Sequence, residues 1–265
     1  MWRLALSDRS FPGSFPETIF EQARRMEIVR LVMRDEVLRP PRRWNLGWRR
    51  GRELDSWREV SQWAEALDYS RSRLWGLRLE RLRAGVRLIA WGIAPRLPRQ
   101  ENVSRIQRYA STAATAAAFL GAHGLLLEGT DHWEPGEAIP FIQHLLPVLG
   151  SLRLILWLRL SEVSPLLLDV PRLFPTTIRP WIALDLEVGI PEAFPALWDR
   201  IKSSVSMMMF RCEPGHLEWW DREGRVILER TEFSGELVVT VPEIPGKSWE
   251  SWRHLVRGHR LSSEF

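Results

Sequence analysis

Carboxylate and imidazole side chains follow directly on a short apolar run in GLLLEGTDHW, residues 124–133. The run ends in Glu128, Asp131 and His132, and Glu134 lies just beyond. A carboxylate can move a proton, and carboxylates together with an imidazole can bind a divalent cation. An apolar strand followed by such residues is typical of the carboxyl edge of a parallel sheet, where ligands bind. The stretch predicts a buried strand whose exit carries a candidate catalytic residue, Glu128.

Further carboxylates and a second histidine follow other predicted strands. The candidate catalytic carboxylates are Glu128, Asp185 and Glu243, and the candidate metal ligands are Asp185, Glu187, His132 and His216. Mixed carboxylate and imidazole shells suit hard divalent cations such as Mn, Mg, Zn or Co. Such a cation would polarise a substrate oxygen while a carboxylate moves a proton. The alternative is a set of ordinary loop carboxylates and solvated histidines with no bound metal.

Two arginines, Arg159 and Arg211, end the predicted fifth and seventh strands. In a fifth strand over 152–160, alternation places Arg153 on the same face as Arg159. A guanidinium in the mouth of a barrel must meet a carboxylate or an anionic ligand, because burying it alone is costly. The arginines are therefore candidate substrate-binding residues, or they pair internally with Asp185 and Glu128 and leave a scaffold without catalysis.

The segment from Arg39 to Arg52, RPPRRWNLGWRRGR, combines arginines with two tryptophans and is interrupted by proline and glycine. Guanidinium groups and indole faces suit a phosphorylated or sugar-like ligand, or a single-stranded nucleic acid. Trp44, Arg49 and, in the loop after the fourth strand, Trp133 are candidate substrate-binding residues. The alternatives are a solvated surface loop or an interface with another subunit.

The composition favours a soluble cytoplasmic protein. The chain has 265 residues, 45% of them hydrophobic, with a net charge of +4 and a pI near 9.9. This charge weakly favours an anionic ligand but is low for a dedicated nucleic-acid binder. Cys212 is the only cysteine, which excludes an intramolecular disulfide and a thiolate metal cluster. No stretch has the pattern of a signal peptide or a membrane span.

Eight apolar runs alternate with helical patterns along the chain. The predicted strands are 2–6, 28–33, 86–91, 124–128, 152–160, 181–184, 205–210 and 237–241. Helices are predicted over 16–26, 54–83, 101–122, 135–149, 165–173, 191–201 and from 249 to 256. Between strands seven and eight, residues 216–230 have the pattern of a β-hairpin instead of a helix. The order predicts one domain over 1–265 with the (β/α)8 TIM-barrel fold.

This layout resembles the xylose-isomerase-like barrels, a superfamily of sugar and sugar phosphate isomerases and epimerases with related apurinic endonucleases. The resemblance covers nearly the whole chain and rests on element order and on LeuAspLeuGlu at 184–187. It implies a divalent metal held by four groups: a glutamate ending strand five, an aspartate followed by a histidine after strand six, a histidine near strand seven and a glutamate ending strand eight.

Only the strand-six aspartate of that pattern, Asp185, is present at its expected place. No histidine follows it within the next residues, and strand five has no terminal glutamate unless Glu162 substitutes. Strand seven ends in Arg211 where a histidine is expected, and Glu243 comes two residues late after strand eight. The resemblance therefore implies a metal site that is altered from the family pattern.

Three functions follow as hypotheses. The first is isomerisation or epimerisation of a sugar or sugar phosphate with this altered metal site. The second is a catalytically inactive barrel that serves as a binding or assembly subunit, as a homo-oligomer or with another protein. The third and weakest is phosphodiester chemistry or nucleic-acid binding through the segment from Arg39 to Arg52.

Overall fold

A computed structural model describes residues 3–11, 14–38, 69–95, 103–170, 174, 180–186, 194–211 and 230–241. Eight parallel strands close into a barrel in chain order, and each pairs with its neighbours along the sequence. The strands are β1 (Arg3–Ser7), β2 (Arg30–Arg34), β3 (Arg87–Ile93), β4 (Gly124–Leu127), β5 (Ile155–Leu160), β6 (Trp181–Asp185), β7 (Val205–Arg211) and β8 (Glu236–Thr240). The predicted TIM-barrel fold is confirmed.

Five helices lie between the strands in the described ranges: α1 (Pro16–Arg25), α2 (Arg71–Ala84), α3 (Val103–Leu120), α4 (Pro135–Ser151) and α5 (Phe194–Ile201). Proline opens α1 and α4, where its missing N–H costs no helical hydrogen bond. Ser70 caps α2, since its hydroxyl accepts from the N–H of Arg73, and Gly85 ends that helix with a positive φ of 69°. Of the helix predicted over 54–83, residues 54–68 lie outside the described ranges, and the described helix begins at Arg71.

Strand β5 begins later than predicted. Helix α4 continues to Ser151, and Arg153 adopts a positive φ of 55° in the turn that follows. The strand therefore starts at Ile155. The expectation that Arg153 shares a strand face with Arg159 is wrong, because the extended helix and its turn take up the residues before Ile155.

The barrel interior is filled by apolar side chains beneath a polar layer. The apolar cluster consists of Ala5, Val32, Ile89, Ala90, Leu126, Trp157, Ala183, Met207, Met209 and Val238. Side chains alternate along a strand, so residues two positions further on point the same way. On five strands, the residues two positions after a member of this cluster are Ser7, Arg34, Glu128, Arg159 and Asp185. They form the carboxyl-end opening of the barrel, here called the mouth.

Several predictions concern residues outside the described ranges: the segment 39–52, the hairpin except for Arg230, Cys212 and the closing helix from 249. The helix predicted over 165–173 begins as hydrogen-bonded turns at 165–169, and 171–173 lie outside. Within the described part of the chain, no helix has the length and apolar character needed to cross a membrane.

Candidate functional site

Glu128 lies at the exit of β4 and is 6% exposed. Its Oε2 accepts a hydrogen bond from Arg9 Nη2 at 2.6 Å and lies 3.5 Å from Arg159 Nη1. Burial raises the pKa of Glu128, while the charges of Arg9, Arg159 and Arg34 lower it, and the result is a pKa above the ordinary value. A carboxylate that holds its proton more tightly is a better proton acceptor near neutral pH.

Arg159 joins the exits of β4, β5 and β6. Its Nε donates to Asp185 Oδ2 at 2.7 Å, and its side chain is only 8% exposed. The loop after β4 holds this part of β5 in place: the hydroxyl of Thr130 donates to the Arg159 carbonyl, and Asp131 Oδ1 accepts from the N–H of Ser161 at 2.7 Å. The guanidinium is therefore fixed between two carboxylates by contacts along both its side chain and its backbone.

A second ion pair lies at the exits of β1 and β2. Asp8 begins the short 3-10 helix Asp8–Ser10 and is 3% exposed. Its carboxylate accepts from Arg34 Nε at 3.2 Å and from the Arg34 backbone N–H at 3.1 Å. Arg34 Nη1 also donates to Glu36 at 3.3 Å. With the pairs above, Asp8, Arg9, Arg34, Glu128, Arg159 and Asp185 form a layer of alternating charges, here called the mouth network.

Gly92 on β3 leaves the space that two members of this network use. A Cβ at this position would lie 3.0 Å from Arg34 Cγ and 3.3 Å from Glu128 Oε1. Both contacts are tighter than ordinary packing, and both partners are held by ion pairs. The glycine thus leaves room over β3 for the side chains of Arg34 and Glu128.

We expect Gly92→Ala to lower the free energy of unfolding by about 1–3 kcal/mol, because the added methyl group displaces Arg34 or Glu128. Gly76→Ala, in the middle of α2, is the matched control. Its Cβ meets nothing within 4 Å, so the same substitution should stabilise the protein by about 0.5–1 kcal/mol. Urea unfolding of both variants measures the difference, and a neutral or stabilising Gly92→Ala would contradict this packing.

Asp35 follows Arg34 but points away from the mouth, towards the helices. It is 1% exposed, and its Oδ2 accepts hydrogen bonds from the hydroxyls of Tyr69, at 3.0 Å, and Tyr109 on α3. Burial raises the pKa of Asp35 to about 7, although both tyrosine hydrogen bonds lower it. These two hydrogen bonds therefore connect the exit of β2 to α3 and to Tyr69, the residue before the N-cap of α2.

Three further predicted site residues lie in the described ranges. His132 is exposed in the 3-10 helix Thr130–His132. Trp133 is 4% exposed and packs edge-to-face on Phe141 of α4, at a centroid distance of 5.6 Å. Arg211 ends β7 with an exposed side chain. The ligand-binding roles of His132, Trp133 and Arg211 stay predictions. The same holds for the ligand-binding roles of Trp44, Arg49, Glu187 and His216 and for the catalytic role of Glu243, all of which lie outside the described residues.

The described part of the mouth does not fit a divalent cation. In these ranges, no group of three or more His, Cys, Asp or Glu side chains could hold a metal. Asp185 is already paired with Arg159. A cation bound about 2.2 Å from Asp185 Oδ2 would lie within about 5 Å of the Arg159 Nε. Repulsion between the two would be about 7 kcal/mol at an effective dielectric constant of about 20.

The sequence-based site omitted Asp8, Arg9 and Arg34, although a signal for them was present. Asp8 and Arg9 follow β1 directly, and Arg34 ends β2, just as Glu128 follows β4. All eight strand ends meet at one opening in a barrel, so charged residues after the first two strands carry the same weight as those after later ones. Counting every strand exit equally would have identified them.

Comparison with solved structures identifies the fold. A D-psicose 3-epimerase, solved in the presence of D-fructose, superposes with a TM-score of 0.62 at 14% identity, over 97% of this chain and 92% of the other. A xylose isomerase domain containing protein from Salmonella typhimurium LT2 gives 0.59 at 13% identity, over 98% and 96%. A sugar phosphate isomerase/epimerase from Parabacteroides distasonis ATCC 8503 gives 0.54 at 10% identity, over 94% and 90%.

This protein therefore has the fold of the xylose-isomerase-like TIM barrels, as the resemblance in the sequence implied. No protein-family model and no curated protein sequence matches the chain. At identities of 10–14% the likeness concerns the fold and not the reaction.

Proposed function

We propose that this barrel binds a sugar or a sugar phosphate at its mouth and isomerises or epimerises it, at a site that is altered from the metal-binding pattern of the family. The observation that carries the proposal is the meeting of Glu128, Arg159 and Asp185 at three adjacent strand exits. Ligands bind at this end of TIM barrels. The solved barrels of the same fold include a D-psicose 3-epimerase and a sugar phosphate isomerase/epimerase, which supports this reaction class.

The chemistry of the mouth suits proton transfer next to a carbonyl group. Isomerisation of a sugar, and epimerisation at the carbon beside its carbonyl group, both begin when a base removes a proton from that carbon. Glu128 is the base that we assign, because burial raises its pKa towards neutrality and it lies at the centre of the mouth network. The arginine N–H groups and the carboxylate oxygens offer donors and acceptors for sugar hydroxyls.

Deuterium exchange tests this proposal. The purified protein is incubated in D2O with a panel of aldoses, ketoses and their phosphates, and NMR records deuterium at the carbon beside the carbonyl. We expect exchange and a new isomer or epimer with at least one member of the panel. Glu128→Gln should abolish the exchange. Glu236→Gln is the matched control, because Glu236 is an equally buried, arginine-paired carboxylate at the opposite end of the barrel.

A catalytically inactive barrel that acts as a binding or assembly subunit is the second candidate. One observation favours it: the carboxylates of Asp8, Glu128 and Asp185 are each paired with an arginine in the structure. Internal pairing of this kind can replace a cofactor with salt bridges and leave a stable scaffold. Saturation-transfer NMR separates the two candidates, since a sugar that binds without any exchange supports the inactive barrel. If no sugar in the panel either binds or exchanges, the first proposal is contradicted.

A further inference from the structure

Arg159 occupies the end of strand five, where the xylose-isomerase-like pattern predicts a metal-binding glutamate. The residue that would share a metal with that glutamate, Asp185, receives the Arg159 Nε hydrogen bond at 2.7 Å. A positive charge is therefore present beside Asp185, but an arginine supplies it. At this point of the described mouth, a positively charged side chain occupies the place where the family pattern has a negatively charged one.

The position of this guanidinium is fixed by its surroundings. Asp185 and Glu128 hold its charged end from the neighbouring strands, and Thr130 holds its backbone carbonyl. A guanidinium stays charged at every physiological pH, and its N–H donors point in fixed directions. Fixed donors that face a developing negative charge are the arrangement by which enzymes stabilise an oxyanion.

We infer that Arg159 takes the place of the divalent cation and stabilises the oxyanion that forms when Glu128 removes a proton from the carbon beside the substrate carbonyl. This inference rests on the proposed function. The C–H electron pair forms the C=C bond of an enediolate, and the carbonyl π pair moves to the oxygen that faces Arg159. Glu128 then returns its proton to the neighbouring carbon, which completes an isomerisation, while the hydroxyl proton passes between the two oxygens. No atom or electron is gained or lost.

The local charge supports this role. Arg159 and Arg9 are both within ion-pair distance of Glu128, while Asp185 offsets one of these positive charges. A divalent cation added beside Asp185 would meet the guanidinium at close range, so the arginine and the cation exclude each other. The barrel should therefore work with chelator present, whereas a barrel of the family pattern should not.

The first part of the test does not depend on activity. Thermal unfolding of the wild type is followed with 1 mM EDTA and with 1 mM Mn²⁺, and metal content is measured after purification. We expect no stoichiometric metal and the same unfolding temperature in both. Arg159→Glu restores the carboxylate of the family pattern, and Mn²⁺ should raise its unfolding temperature. Bound metal in the wild type, or stabilisation of the wild type by Mn²⁺, would overturn the inference while leaving the proposed function intact.

The second part uses the deuterium-exchange assay with chelator present. We expect the wild type to keep its full rate, Arg159→Met to lose about 10²–10³-fold in kcat, and Arg159→Lys to lose less. Guanidinium chloride at millimolar concentration should partly rescue Arg159→Ala. Arg83→Met, at an exposed position on α2, is the control and should match the wild type.

Three outcomes separate the two proposals. Exchange that is lost with EDTA and returns with Mn²⁺ rejects the role of Arg159 but keeps the isomerase. An Arg159→Met variant as fast as the wild type also rejects that role. Absence of exchange in the wild type, with or without Mn²⁺, rejects the proposed function and with it the role of Arg159.

Discussion

Replacing Glu128 with alanine should lower the free energy of unfolding by about 1–3 kcal/mol, because the change removes a buried carboxylate that both Arg9 and Arg159 contact. Glu128 is almost fully buried, and it lies against Arg9 and Arg159. Arg9 can turn partly towards water, since 28% of its side chain is exposed, but Arg159 cannot. The cost therefore falls mainly on Arg159, which loses one carboxylate partner and keeps Asp185.

Urea unfolding at pH 7 measures this loss, and two further variants identify its cause. Glu128→Gln keeps the volume of the side chain and removes only its charge, so a loss close to that of alanine assigns the effect to electrostatics rather than to a cavity. Glu80→Gln breaks the exposed pair with Arg83 and should change stability by less than about 0.5 kcal/mol. A loss at Glu128 as small as that at Glu80 would show that the mouth network does not stabilise the fold.

The second large effect that we expect is a dependence of the free energy of unfolding on pH, caused by Asp35. Its pKa is about 7 in the folded protein, against an ordinary value of 3.8. Between these values the folded protein holds a proton that the unfolded chain has lost. The stabilisation is therefore complete below about pH 4 and is lost as the pH rises through about 7. Asp35→Asn keeps an acceptor for Tyr69 and Tyr109 but cannot titrate.

We expect the stability of the wild type relative to Asp35→Asn to fall by roughly 3 kcal/mol between pH 5 and pH 8. Urea unfolding of both proteins at constant ionic strength, in steps of half a pH unit, gives the difference curve. Glu17→Gln, at a half-exposed ion pair with Arg73, is the control and should run parallel to the wild type. Parallel curves for the wild type and Asp35→Asn would mean that Asp35 does not titrate in this range.

Local sequence patterns predicted the elements well because each element depends on its own residues. The run at 124–127 is apolar throughout and is found as β4, and the alanine-rich stretch from Ala110 to Ala118 lies inside α3. The exception is β5, where the start of the strand depended on how far α4 extended and on the positive φ of Arg153. An apolar pattern does not show which of two adjoining elements takes the residues between them.

The chain alone determined that charged residues collect at strand exits and that the order of elements closes a barrel. Only the tertiary structure decided which charges meet: Arg9 and Glu128 are 119 residues apart in sequence, and Arg34 reaches Asp8 across 26. Of the two alternatives for Arg159, the internal partner is present as Asp185, and its role in binding an anionic ligand stays a prediction. The physical reason is that strand position is a local property, whereas an ion pair depends on the register of neighbouring strands around the closed barrel.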